Sequence, residues 1–466
     1  MQILELLRKT ELEASRIVSF ARYTGKDGAG FTGLLLESRP EEGSLIRHAL
    51  WLPDEWNGIF VGRGNGGMAG GLSRDDGLIR RGYASAHSDL GTSRGVASGV
   101  ENPAVWRDFG WRATHLMTAE SKRLIEVFYR ERPRASYFLG TSTGGEQAIM
   151  EAERFPEDYD GILAGKPANN RIALHTYFLW NHVHLRTREG KKLFTEKEVQ
   201  SLSREAARFF AGKNGGRKGD PFVTLPYEGE DTEERFLLHL KKRTSFGEEQ
   251  LSALRLVYQG PLNPRTGERI YNGMPIGSER YGCGIMDSMA EESPHFYPFQ
   301  WTFGLGYDGY DFDFDRDLDR MLSLPGAEMN AGKADLSAFG RAGGKLLVYS
   351  GASDPCVPYP DAMRYYERAA ENAGGYGEIS GTARYFLAPG MDHGEGGLGA
   401  KSVTGEEGED LLRVLRRWKE EGKAPDRLLA RMDQAGRETR PLSPYGSPDY
   451  PFGLHAPAAS PRYQGR

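Results

Sequence analysis

The chain has 466 residues, and its 60 Lys and Arg against 65 Asp and Glu leave a formal net charge of −5. That balance excludes a polycationic binder of nucleic acid or anionic lipid. With 38% hydrophobic and 27% charged residues the chain buries at least one sizeable core, and its 61 glycines gather in loops without a collagen-like period.

The opening MQILELLRKTELEASR intersperses charges among its leucines and reads as an amphipathic helix, not as a secretory signal. No run approaches the roughly 18 apolar residues that cross a bilayer. The only cysteines, Cys283 and Cys356, allow at most one disulfide, which excludes a disulfide scaffold. The expectation is a soluble, cytoplasmic chain of a reducing compartment, without membrane or nucleic-acid partners.

From Ile46 to about Ala168, short apolar runs alternate with helical patterns: IFVG at 59–62, YASAH at 83–87, RATHLMTAESKRLIEVFYRE at 112–131 and SYFLG at 136–140. Strands separated by helices predict a parallel sheet with crossover connections. TSTGG and EQAIMEAERF follow directly, with Ile149, Met150, Ala152 and Phe155 near helical spacing, so the stretch reads as strand, sharp turn, helix. Between roughly 171 and 336 the pattern changes to charged helices, a polar stretch and an aromatic cluster, read as an inserted domain. Sheet-forming sequence resumes at KLLVYSG (345–351) and ARYFLAPG (383–390), with helical patterns after each. The tail from about 436, rich in Pro, Gly, Ser and Tyr, is predicted to wrap the surface or fray. No internal repeat is present.

Gly140-Thr141-Ser142-Thr143-Gly144 fits GxSxG between a predicted strand and a predicted helix, the context of a nucleophile elbow. A serine at its free pKa is a poor nucleophile, so it needs a histidine and an orienting carboxylate, here in the chain order Ser, acid, His. Asp354 follows the strand KLLVYSG and His393 follows RYFLAPG, both at carboxyl ends of strands, where open α/β sheets place their sites. Asp361 and Asp392 are rival carboxylates; the first begins a helix and the second adjoins the histidine. The separation of Ser142 from Asp354 far exceeds the ~60–70 residues that two strand-and-helix units need. The excess reads as a lid above the serine, whose Tyr177, Phe178, Trp180, Phe296, Tyr297, Phe299, Trp301 and Phe303 are candidates for an aromatic pocket or for the lid's own core.

Gly62-Arg63-Gly64-Asn65-Gly66-Gly67 also satisfies GxGxxG after a strand, the dinucleotide fingerprint, with Asp89 as its acidic partner. That supports an NAD(P)-dependent oxidoreductase as a rival, although no clean helix follows. In a hydrolase the same loop supplies oxyanion donors, Gly67 together with the N–H of Thr143. DFDFDRD, from Asp311 to Asp317, fails the EF-hand pattern, with Arg316 and Leu322 where Gly and Glu belong. His182 and His184 lack a third metal ligand.

These motifs together resemble the tannase and feruloyl esterase family of α/β-hydrolases. LPDEWNGIFVGRGNGGMAGG resembles its opening strand and Gly-rich loop, HLMTAESKRLIEVFYRERPRASYFLGTSTGGEQAIMEAERFPEDYDGILAGKPA its nucleophile segment, and SGASDPCVP and APGMDHGEGG its acid and histidine loops. The resemblance runs from about 46 to 450. It implies a mostly parallel sheet with helices on both faces, a discontinuous catalytic domain (1–170 and 337–466) and an inserted substrate-binding lid (171–336). It further implies Ser142 as nucleophile, Asp354 as orienting acid, His393 as general base, and a small aromatic or phenolic ester as substrate. Acyl transfer or amide hydrolysis by the same triad is the alternative. Family members often carry cysteines, joined as a disulfide, where this chain has Thr141 and Gly394. Their lid calcium loop corresponds to GKNGGRKGDP, which keeps only Asp220 among acids. The brace is therefore expected to be absent, and no metal or other cofactor is expected.

Overall fold

The computed structural model describes residues 2–25, 28–214, 216–227, 229, 231–291, 293, 295–394, 396–450 and 461–463. Nine strands form one sheet: β1 (Ser15–Thr24), β2 (Gly30–Ser38), β3 (Ile46–Pro53), β4 (Ile59–Arg63), β5 (Ala84–Ser88), β6 (Ala135–Thr141), β7 (Gly161–Gly165), β8 (Lys345–Gly351) and β9 (Ala383–Ala388). Their order is β1-β2-β3-β5-β4-β6-β7-β8-β9. β1, β2, β3 and β5 pair antiparallel, and every pairing from β5 through β4 to β9 is parallel. This is the α/β-hydrolase architecture, a mostly parallel sheet.

Side-chain alternation covers both faces. Phe60 and Phe138 turn toward Met117, Leu124 and Ile125 of α1 (Ala113–Tyr129) and Ile149 of α2 (Thr143–Arg154). Ile59, Val61, Tyr137 and Leu139 turn the other way, toward Leu411, Leu415 and Trp418 of α9 (Leu411–Glu421). The apolar stripe of α9 falls at i, i+4 and i+7. Its ends are set by the Asp410 carboxylate, which accepts from Arg413 N–H, and by Gly422 at φ 72°. Each such side chain contributes about 1.5–3 kcal/mol when fully buried.

Between β7 and β8, residues 166–344 add no strand to this sheet among the described residues. They fold around a core of their own, with α3 (Arg171–Leu185), α4 (Glu196–Phe209), α5 (Thr232–Arg243), α6 (Glu248–Gln259) and α7 (Tyr297–Phe303) burying Leu179, Leu202, Phe236, Leu254 and Phe299. Cys356 and Val357, from the loop after β8, belong to the same cluster, so the segment packs on that loop.

Two departures from the sequence reading have physical causes. β1, β2 and β3 precede the first anticipated strand, IFVG; β1 is half-buried or exposed along its whole length, so it carries no apolar alternation to detect. The tail is more structured than anticipated. Thr439–Leu442 pairs with Leu428–Arg431 in a second, three-stranded sheet, and Tyr445 and Tyr463 are buried. Residues 451–460 and 464–466 of that tail lie outside the described residues.

Candidate active site

Ser142 sits between the end of β6 and the start of α2 with φ 63° and ψ −120°, a backbone conformation that costs a non-glycine residue about 1–3 kcal/mol. Close packing explains the glycines around it. A Cβ on Gly140 would lie 1.9 Å from the Gly144 carbonyl oxygen, and one on Gly64 would lie 2.5 Å from the Gly144 Cα. The turn is pinned by the Ser142 N–H donating to Gly165 O (2.9 Å) and the Ser142 carbonyl accepting from Ala168 N–H (3.1 Å).

The Gly-rich loop after β4 folds over the start of α2. Gly144 N–H donates to Asn65 O (2.8 Å), Asn65 N–H to Gln147 Oε1 (2.8 Å), and the Thr143 hydroxyl to Gly67 O (2.7 Å). Gly67 has φ 54° and open space where a side chain would be. Thr143 and Gly67 are thus neighbours beside Ser142, and the Thr143 N–H belongs to the first turn of α2, whose amides lack intrahelical acceptors. The dinucleotide alternative fails on geometry. The loop leads through turns to a helix of five residues, Asp76–Arg80, and Asp89 is occupied by the N–H groups of Arg47 (2.9 Å) and Gly91 (2.8 Å).

The Asp354 carboxylate is fully buried in the turn after β8. Oδ1 accepts from the N–H groups of Cys356 and Val357, both at 2.9 Å, and Oδ2 lies 2.8 Å from His393 Nδ1. With Nδ1–H facing a carboxylate, the proton sits on Nδ1 and the Nε2 lone pair is left for a reacting hydroxyl. Neither rival carboxylate bonds this ring. Asp361 opens α8 (Tyr359–Ala373) and accepts from Asn170 Nδ2 at 3.3 Å, and Asp392 makes no bond to its neighbour's imidazole.

Gly165 and Lys166, at the end of β7, join the two halves of the site. Gly165 O holds the Ser142 N–H, and Lys166, at φ 45°, donates its N–H to Tyr349 O (2.6 Å) and its Nζ to His393 O (2.9 Å). The His393–Asp354 bond is formed, whereas no hydrogen bond joins Ser142 to His393; nucleophile–base contacts are often long until substrate binds. Sequence reasoning missed Lys166, although its place after a strand's carboxyl end was a usable signal.

The segment 166–344 braces this rim. Tyr177 OH donates to Pro355 O (2.9 Å), next to Asp354, and the buried guanidinium of Arg171 pairs with Glu146 in the first turn of α2. The other aromatic candidates divide. Trp301 is buried, donates Nε1–H to Val96 O (2.9 Å) and packs on Phe109 and Tyr297; Trp180 donates to Leu256 O (2.8 Å) beside Phe314; Phe299 packs on Phe312. Phe296 and Phe303 meet other rings of the same core. Only Phe178 of that group lines a cavity of 340 Å³, together with His182, Cys283, Asp287 and His295. Burial and the nearby His393 push His295 down to about 4. His182 and His184 present Nδ1 to the carbonyls of Ser288 (2.9 Å) and Trp180 (2.8 Å), and Asp220 forms a two-pronged pair with Arg440.

The model of the family described as tannase and feruloyl esterase matches residues 33–293 and 296–455. The chain belongs to the tannase and feruloyl esterase family. As a member it is a carboxylic ester hydrolase. It is 28% identical over 412 residues to a probable feruloyl esterase B-2 of Aspergillus flavus, covering 83% of this chain and 77% of that one. It is 28% identical over 480 residues to an uncharacterized esterase of Xanthomonas campestris pv. campestris, covering 91% and 82%. The fold is similar to feruloyl esterase B from Aspergillus oryzae (TM-score 0.81, 23% identity, 94% of both chains). It is also similar to tannin acyl hydrolase from Aspergillus niger (TM-score 0.72, 17% identity, 95% and 91%).

One expectation about this family member is overturned. The cytoplasmic assignment rested on an opening that does not read as a secretory signal and on the absence of the family's disulfide cysteines, but the structure holds a disulfide between Cys283 and Cys356, with Cα atoms 5.0 Å apart. The bridge does not use positions 141 and 394; it ties the segment 166–344 to the loop that carries Asp354. No helix among the described residues is long and apolar enough to cross a membrane.

Proposed function

We propose that this esterase cleaves phenolic acyl esters through Ser142, His393 and Asp354. The observation that carries the reading is the 2.8 Å bond between buried Asp354 and His393, on a loop tied through Lys166 to the strained turn of Ser142. His393 Nε2 takes the Ser142 proton as Oγ attacks the ester carbonyl, and Asp354 holds the imidazole in the tautomer this requires. The N–H groups of Thr143 and Gly67 receive the oxyanion, and loss of one such donor costs about 100- to 1,000-fold in rate. His393 then protonates the leaving alcohol and activates the water that releases the acid.

The phenolic preference is supported by the names of the relatives and by a cavity with Phe178 stacked on His295 at 4.0 Å in its wall, whose Cys283 is bridged to the loop that carries Asp354. In this reading residues 171–336 are the substrate-binding lid. The test is Ser142→Ala, assayed on methyl ferulate and on a chromogenic aryl ester. Turnover is expected to disappear with thermal unfolding nearly unchanged, and turnover retained by the variant refutes the assignment.

A further inference from the structure

The mechanism makes no use of a donor cluster that adjoins the loop carrying Asp354. Cys283 Sγ, Cys356 Sγ and a ring nitrogen of His295 all lie within 4.8 Å of one another, and Cys283 Sγ is 3.6 Å from His295 Nε2. A tetrahedral divalent ion with bonds of ~2.3 Å to sulfur and ~2.0 Å to nitrogen needs donors roughly 3.5–3.8 Å apart, so a small adjustment of these side chains suffices. The supports are in place. The His295 ring is stacked on Phe178 at 4.0 Å, its backbone carbonyl is held by His175 Nδ1, and Cys283 N–H donates to Asp287 Oδ2 (2.7 Å). Cys283, His295 and Asp287 also face the 340 Å³ cavity, which provides an entry path and room for a water as fourth ligand.

We propose that Cys283, Cys356 and His295 form a redox-gated metal site, closed while the disulfide is intact and, once it is reduced, selective for a thiolate-seeking divalent ion such as Zn²⁺ or Co²⁺. A dithiol reductant opens the bridge by delivering two electrons and two protons, which leaves two thiols here and a cyclic disulfide on the reductant. Ion binding then expels both thiol protons and forms two metal–sulfur bonds and one metal–nitrogen bond. His295 already turns Nε2 toward Cys283 Sγ, so ligation needs no rotation of the ring away from its stack on Phe178. Cys356 N–H is bonded to Asp354, so an ion here sits against the loop that carries the acid.

The readout is metal uptake by the full chain and is independent of the esterase reading. The protein is reduced with dithiothreitol, desalted without oxygen and titrated with Co²⁺. The expected result is one ion per chain with a thiolate-to-cobalt charge-transfer band, no such band in the oxidised protein, and binding at least tenfold weaker in both His295→Ala and His295→Asn. The proposal is overturned if the reduced wild-type chain gives no band, if either variant binds Co²⁺ as tightly as wild type, or if reduction abolishes the native circular dichroism spectrum, since the site requires the folded chain.

Discussion

The carboxyl ends of β4, β6, β7, β8 and β9 place their functional groups by strand pairing and turn geometry, whereas the segment 166–344 reaches the same rim through side-chain braces. On the rim, backbone contacts decide: Gly64 against Gly144, Ser142 N–H on Gly165 O, and two backbone N–H groups on Asp354. From the segment come a tyrosine hydroxyl on Pro355 O, a disulfide to Cys356 and a buried guanidinium on Glu146. The difference teaches that the candidate triad is positioned by the sheet, while the segment braces the rim that carries it.

Substitutions on the two sides of that divide should separate rate from stability. The largest effect belongs to Asp354→Asn, which puts the imidazole in the wrong tautomer. Turnover of an aryl ester is expected to fall about 10⁴-fold. A drop of less than tenfold, with the fold intact, would show that the rim does not work as a triad. Next is Glu146→Ala, which strands the Arg171 guanidinium in the interior. Urea unfolding should show a loss of about 3–5 kcal/mol, the cost of breaking a buried pair from one side.

Asp361 lies on the seam, bonded to Asn170 just before α3, and burial pushes its carboxyl up to about 6 from 3.8. Between those values the folded chain keeps a proton that the unfolded chain releases, so stability falls as pH rises through the window and the full penalty is present above it. Asp361→Asn removes that penalty. A gain of about 3 kcal/mol is expected near pH 7, disappearing below about pH 4, as read from denaturant midpoints across pH. The smallest effect is that of Tyr177→Phe, which deletes one hydroxyl bond to the acid loop. About 1 kcal/mol of stability should be lost with no more than a few-fold change in turnover; a loss of turnover as large as that of Asp354→Asn would move this brace into the reacting set.

The parallel core was legible because IFVG, YASAH, SYFLG, KLLVYSG and RYFLA are apolar runs separated by helical periods, and strands β4 to β6, β8 and β9 fall on them within a residue or two. The elbow was legible because sterics restrict Gly140 and Gly144 so tightly, and Asp354 and His393 because they directly follow strands. The braces were not. Whether Cys283 and Cys356 bridge, and what Lys166, Arg171 and Tyr177 touch, depends on contacts between residues far apart in the chain that no local pattern records. Of the aromatics offered for a pocket or for a core, Phe299 joins the core of the segment 166–344, whereas Trp301 packs with Val105, Trp106 and Phe109 from before the nucleophile turn, a destination no local pattern records. The disulfide corrected the compartment argument because a count of cysteines says nothing of their distance in space.

The most direct test of the central claim is to react the wild-type protein with a fluorophosphonate and locate the adduct by peptide mass spectrometry. One adduct per chain on Ser142, forming in step with loss of esterase activity and slowed by Asp354→Asn, is the predicted result. Activity lost through an adduct on any other residue, or an active enzyme that takes up no probe, would contradict it.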